Sequence, residues 1–259
     1  MFYYEARYYK PPVFTSRDPM FEKYFWMTPY AYCANNPVKY VDPSGCDLWI
    51  VDFEENGSSA YAVDYKPGMK YDGDNIYIKN AIDRLNEMYS TENGKTVIES
   101  LEKSNNLYTI EGKYAKDSRA AGSFQEYNDC GIISLPNSKM TLQNISHELF
   151  HAYQYETFGG SVQSISSEVE AFLFAYSVAF QFNPESVTKT RLESVNYNED
   201  YNKALHSLME GVDFEKNFNI IVRNFKKEAE ANHSGLYDNF RVYSNSYLIN
   251  SFLPIYNKK

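Results

Sequence analysis

Histidine is scarce in this sequence, four in 259 residues, and cysteine is scarcer still, with three. Cys33, Cys46 and Cys130 are odd in number and unrelated in spacing, so they form neither a disulfide framework nor a thiolate metal ribbon and read as isolated thiols. No apolar run approaches the roughly 20 residues that a bilayer span needs. The opening "MFYYEARYYKPPVF" carries charges where a secretory leader has an apolar stretch. Neither a membrane span nor a Sec-type signal is therefore expected. Positive charge is also short: 25 Lys and Arg against 34 Asp and Glu leave a net charge of -9. Without a basic stripe to neutralise phosphates, a nucleic-acid partner is excluded. Internal repeats and low-complexity stretches are absent as well.

What is present is enough for a core, since 43% of residues are hydrophobic. Tyrosine is unusually frequent, 25 against 17 Phe, which suits half-wet surfaces and polar-tipped core positions. Residues 1–45 are dense in Tyr and Pro, with turn signals in "NNP" and "DPSG" and no stretch long enough for an ordinary helix. From residue 46 to 259 the pattern changes. "DLWIVDFEENGSSAYAVDY" reads as a hairpin. Ile78, Ile82, Leu85 and Tyr89 fall at helical spacing, with Asn93-Gly94 as the expected stop. "KTVIESLEKSNN" reads as a second short helix, "LYTIEGKY" and "CGIISLP" as strands, and the segments from "YNKALHSLMEGV" to "NSYLINSFLPIY" as helices that only pack. The expected class is α+β: a small mixed or antiparallel sheet on two site helices, a helical C-terminal part, and a Tyr-rich β or irregular N-terminal appendage.

The chemistry concentrates in "NISHELFHAYQYE", which sets His147 and His151 four apart with Glu148 after the first. Thr141 is the expected N-cap and Gly159-Gly160 the expected stop, and Leu142, Ile145, Leu149, Phe150 and Tyr153 give the apolar stripe. Residues four apart share a helix face, so both histidines can aim a ring nitrogen at one ion, with Glu148 beside them. Catalytic Zn2+ needs one more protein ligand and a fourth position for water, whose proton a glutamate takes as it attacks a carbonyl. Glu168 and Glu170, at the start of "SSEVEAFLFAYSVAFQF", are the candidates for that ligand. Carboxylates in a first turn also favour the positive end of a helix dipole unaided. The metzincin continuation would need Gly at 154 and His at 157. Gln154 and Thr157 stand there instead, which excludes that subclass. An oxyanion stabiliser would come from His233 or Tyr237 in "EANHSGLYDNF", or from Tyr155; His206 and His233 otherwise read as surface histidines.

Three resemblances sharpen these expectations. "ARYY", "SRDP", "PYAYCANNPV" and "DPSG", within residues 3–45, resemble the end of the rearrangement-hotspot (Rhs) repeat-associated core domain. That resemblance implies a variable C-terminal toxin domain after it, delivered to a target cell by a specialised secretion system and paired with a cognate immunity protein. Cys46 stands after Gly45 where the family usually has Leu, at the point where self-cleavage can release the toxin. The two-helix site resembles the gluzincin class of metallopeptidases, whose third ligand often precedes an alanine by three positions, as Glu168 does in "EVEA", and in some members directly precedes it, as Glu170 does. The same resemblance makes the strand at Ile132 and Ile133 the edge that pairs with substrate backbone. The order "AIDRLNEMYSTENGKTVIESLEKSNNLYTI", "HELFHA", "SSEVEA" is similar to that of bacterial effector zinc peptidases. The implied function is zinc-dependent hydrolysis of a protein or peptide substrate. The alternatives are a non-catalytic, metal-stabilised tip and an enzyme that cuts cell-wall peptide.

Overall fold

The structure, a computed structural model, describes residues 2–4, 7–10, 13–14, 48–53, 60–104, 106–112, 121–127, 130–159, 164–186, 199–231 and 248–253. Near the N-terminus three short antiparallel strands pair with one another: β1 (Phe2–Tyr4), β2 (Arg7–Lys10) and β3 (Val13–Phe14). The remainder of the 1–45 segment, including Cys33 and Gly45, lies outside the described residues.

Apolar runs that do not alternate are what strands covered on both faces require. "LWIV", "LYTI" and "CGII" are such runs, and they lie in β4 (Leu48–Phe53), β6 (Leu107–Glu111) and β8 (Cys130–Ser134). These three run parallel. β5 (Ala60–Asp64) flanks β4 and β7 (Ser123–Tyr127) flanks β8, both antiparallel, which gives a five-stranded mixed sheet in the order β5-β4-β6-β8-β7. The expected β4–β5 hairpin is present. The expected edge is not where it was placed: Ile132 and Ile133 sit on β8, paired on both sides, and among the described residues β7 and β5 are the outer strands. A strand's neighbours are decided by where later segments pair, which the apolar run of β8 does not encode.

The helices follow their stripes. α1 (Ile76–Tyr89) buries Ile78, Ile82 and Leu85, and its N-cap Asn75 accepts from the Ile78 N–H while donating to Asp52 at the end of β4, 2.9 Å away. The chain does not stop at Asn93-Gly94. Thr91 caps a new helix, α2 (Glu92–Glu102), with both residues buried in its first turn. Glycine there serves close packing, because a Cβ at Gly94 would lie 2.1 Å from the Met88 carbonyl oxygen and 2.6 Å from Met88 Cγ. α3 (Leu142–Phe158) and α4 (Ile165–Phe182) pack on each other, and α3 also lies against β7 and β8. α5 (Glu199–Met209) pairs with α6 (Phe214–Ala231), and α6 packs on α4. A 3-10 turn at Leu248–Phe252 closes the core, with Phe252 5.1 Å from Phe174 and 5.7 Å from Phe150, centroid to centroid. The described residues thus form a mostly helical α+β fold, in which no helix is long and apolar enough to cross a membrane.

Candidate metal centre

Both ends of α3 are set by local chemistry. The Thr141 side chain accepts from the Asn144 N–H, and Gly159 closes the helix in the left-handed region at φ 66°, a conformation costly for residues with a Cβ. Across a short break Ser164 and Ser167 cap α4 reciprocally, which puts Glu168 in its first turn opposite the two histidines.

Three ligand atoms converge there. His147 Nε2 and His151 Nε2 are 3.1 Å apart, and the Glu168 carboxylate reaches them at 3.5 Å and 3.4 Å respectively. A tetrahedral ion holding N and O donors at about 2.1 Å separates neighbouring donors by about 3.4 Å. The spacing therefore fits a single ion, and the three residues form a group that could hold one. Their side chains are only 12% to 15% exposed. The His147 ring also lies 4.3 Å from Phe172, which limits its rotation.

Electrostatics follow from this packing. Burial opposes charge on His151, but the Glu168 carboxylate beside it prevails and raises the imidazole to about 9. Burial likewise works against an ionised Glu168, and the two histidines overcome it, holding the carboxyl far below the usual range. Without metal the site is an ion pair whose proton a metal must displace.

Glu148, 6% exposed, stands outside that ligand group. Its carboxylate lies against Gly122, just before the edge strand: a Cβ at Gly122 would meet Glu148 Oε1 and Cγ at 2.9 Å. Burial pushes its carboxyl upward, the two histidines pull it down, and the Glu168 charge adds to the rise. The site thus joins three ligand groups to a desolvated carboxylate beside a sheet edge.

Of the two candidate third ligands, Glu168 joins the histidines. The buried Glu170 carboxylate is turned to Gln154 Nε2 at 2.9 Å and the Ile249 N–H at 3.1 Å, and burial raises it to about 7. Ile133 is fully buried and Ile132 lies on the internal β8. They lie inside the sheet, between β6 and β7. The polar strand β7, with Phe124 5.9 Å from the ring of Tyr155, is the outer strand beside them. His233 and Tyr237 lie outside the described residues. His206 sits on α5, 65% exposed and 3.4 Å from Glu210, away from this group. In the sequence Gln154 serves only to exclude the metzincin continuation, and Gly122 carries no assignment. A glycine two residues before Phe124 is a weak sign of close backbone approach, while Gln154, three residues after His151, is within helical reach of its ring. No protein-family model matches this chain, and no curated protein matches it.

Proposed function

We propose that the chain is a zinc-dependent peptide-bond hydrolase with a zincin-like site, the toxin tip of an Rhs-type polymorphic protein. The observation that carries this reading is the set of donor separations, 3.1, 3.4 and 3.5 Å, among three residues, one fewer among the described residues than the four that close a structural zinc site. Two imidazoles and one carboxylate are a donor set that catalytic zinc shares with non-haem iron, and the HExxH spacing with Glu148 after the first histidine favours zinc. Zinc bound there would supply a Lewis acid for a peptide carbonyl and lower the pKa of a water.

The chain's own residues account for the rest. His147 and His151 offer Nε2, and Glu168 brings the negative charge that completes the donor set. Glu148, with its carboxyl raised by burial, takes the proton of the attacking water and returns it to the leaving amine. Among the described residues β7 is the outer strand of the sheet on the α3 side, and an extended peptide is proposed to pair along it. Pairing there carries the peptide toward Gly122 and thus toward Glu148. The oxyanion stabiliser is proposed from His233, Tyr237 or Tyr155. The Rhs-like motifs of residues 3–45 support export by a specialised system, a 46–259 toxin domain and an immunity partner.

Equilibrium dialysis with zinc tests the reading alongside peptide hydrolysis. One zinc per chain is expected, lost in His147→Ala and His151→Ala. Glu148→Gln is expected to keep it while hydrolysis falls at least 10²-fold. A metal-stabilised tip without catalysis has no use for Glu148, so hydrolysis unchanged in that variant would overturn the enzymatic reading.

A further inference from the structure

Gln154 and Glu170 are buried polar side chains, 0% and 3% exposed, that the ligand group does not include. A buried amide is tolerated only when its groups are paired, and both ends of Gln154 are. Nε2 donates to the main-chain carbonyl of Ser167 at 3.2 Å and to Glu170 Oε2 at 2.9 Å, while Oε1 lies 2.9 Å from Nδ1 of His151. The orientation of the amide is fixed by chemistry. A main-chain carbonyl only accepts, so it must face the NH2 end. Gln154 Oε1 then faces His151 and also only accepts, so Nδ1 of His151 carries the proton. Nε2, on the other side of the ring, is left toward His147 and Glu168.

Glu170 is held in turn. Its second oxygen accepts from the Ile249 N–H at 3.1 Å, in the 3-10 turn 248–252. That turn is anchored by Phe252, whose ring packs on Phe150, Tyr153 and Phe174 and whose carbonyl accepts from Asn93 Nδ2 at 3.1 Å.

We propose that Gln154 and Glu170 are positioning residues that lock the His151 ring with its proton on Nδ1 and so present Nε2 to the metal, with segment 248–252 as their anchor. The inference rests on reading His151 as a ligand. His147 has no such support: its Nδ1 is buried with no hydrogen-bond partner among the described residues, and packing on Phe172 orients it. The two histidines thus reach the metal by different means, one set by hydrogen bonds and one by contact.

The test uses the full chain, zinc competition against a chromophoric chelator, and proton NMR of the metal-free protein. Gln154→Met, similar in shape and without the amide, raises the zinc Kd about 10- to 100-fold, as loss of a partner behind a ligand typically does. Glu170→Gln turns an NH2 toward one of two donors and raises it about tenfold. In metal-free wild type the His151 Nδ1–H exchanges slowly with water, and it exchanges faster in both variants. A Kd within twofold of wild type in both variants, or a wild-type ring with no protected Nδ1–H, overturns the proposal. If Gln154→Met fails to fold, Glu170→Gln and the wild-type ring proton still decide it. Should the chain bind no zinc, the metal reading fails while the ring proton decides the relay; should it bind zinc and cut no peptide, only the peptidase reading fails.

Discussion

Alanine at Gly122 separates the proposed base from the metal. The new Cβ would sit 2.9 Å from Glu148 Cγ and Oε1 and 3.1 Å from Cδ. Comfortable carbon contacts begin near 3.5 Å, so the carboxylate must retreat by about 0.5 Å. Glu148 is a flexible side chain and Gly122 has no left-handed φ, so the fold absorbs the change for about 1 kcal/mol or less. Catalysis does not: misplacement by about 1 Å costs about 10²-fold, so a shift of half that predicts a loss of 10-fold or more in kcat/KM. The three atoms nearest this Cβ all belong to Glu148 and none to His147, His151 or Glu168, so zinc content is expected to stay at the wild-type value. Peptide-library cleavage read by mass spectrometry supplies a substrate, and kcat/KM, zinc content and thermal unfolding are compared on the same preparations. Activity within twofold of wild type would refute the placement of Glu148 beside the edge strand. Zinc lost in step with activity would refute the separation of base from metal.

Other expectations follow from single contacts. Gly94→Ala drives a Cβ into the Met88 carbonyl at 2.1 Å, which has no flexible end to yield, and should lower unfolding stability by about 1–3 kcal/mol in denaturant titration. One Glu156 oxygen accepts from Ser104 Oγ at 2.6 Å, Asn106 Nδ2 at 2.8 Å and Tyr108 Oη at 2.6 Å, tying α3 to the entry of β6. Burial opposes its ionisation, yet those three donors hold its carboxyl below the usual value. A depressed carboxyl adds stability above the ordinary glutamate pKa and loses it as pH falls through the folded value. Glu156→Gln should therefore cost about 1–3 kcal/mol at pH 7, a gap that narrows as pH falls below the ordinary glutamate value and closes below the depressed one. Zinc must displace the proton on His151, which titrates near 9. Calorimetry in buffers of different ionisation enthalpy should show about one proton released from this group at pH 7, falling off above pH 9, and apparent zinc affinity rising with pH up to that point.

Local signals carried much of this fold. Thr141 and Gly159 bound α3 as N-cap and αL stop because capping involves only neighbouring residues. The β4–β5 hairpin and the burial of Ile78, Ile82 and Leu85 follow from period alone. Gly94 was misleading because glycine marks both helix ends and tight contacts, and its reason, Met88, lies on the preceding helix. β7 is polar and short, and edge position belongs to the sheet's pairing order, so Ile132 and Ile133 drew the assignment instead. The histidine pair was legible as an i, i+4 motif, but only the gluzincin resemblance ranked Glu168 above Glu170. Two residues apart they point about 200° around the helix, one to the histidines and one to Ile249, and only the packing of α3 on α4 decides which. The hydrogen-bonding role of Gln154 was not legible because it needs three partners from two helices.

The central claim is that His147, His151 and Glu168 hold a zinc ion and that Glu148 uses it to cut peptide bonds. Its most direct test is a peptide library incubated with zinc-loaded wild type and with zinc-loaded Glu148→Gln, new termini being read by mass spectrometry and zinc measured on both. The account predicts new termini with wild type, essentially none with the variant, and equal zinc in the two. Cleavage by Glu148→Gln at the wild-type rate, or no cleavage by wild type carrying a full equivalent of zinc, would contradict it.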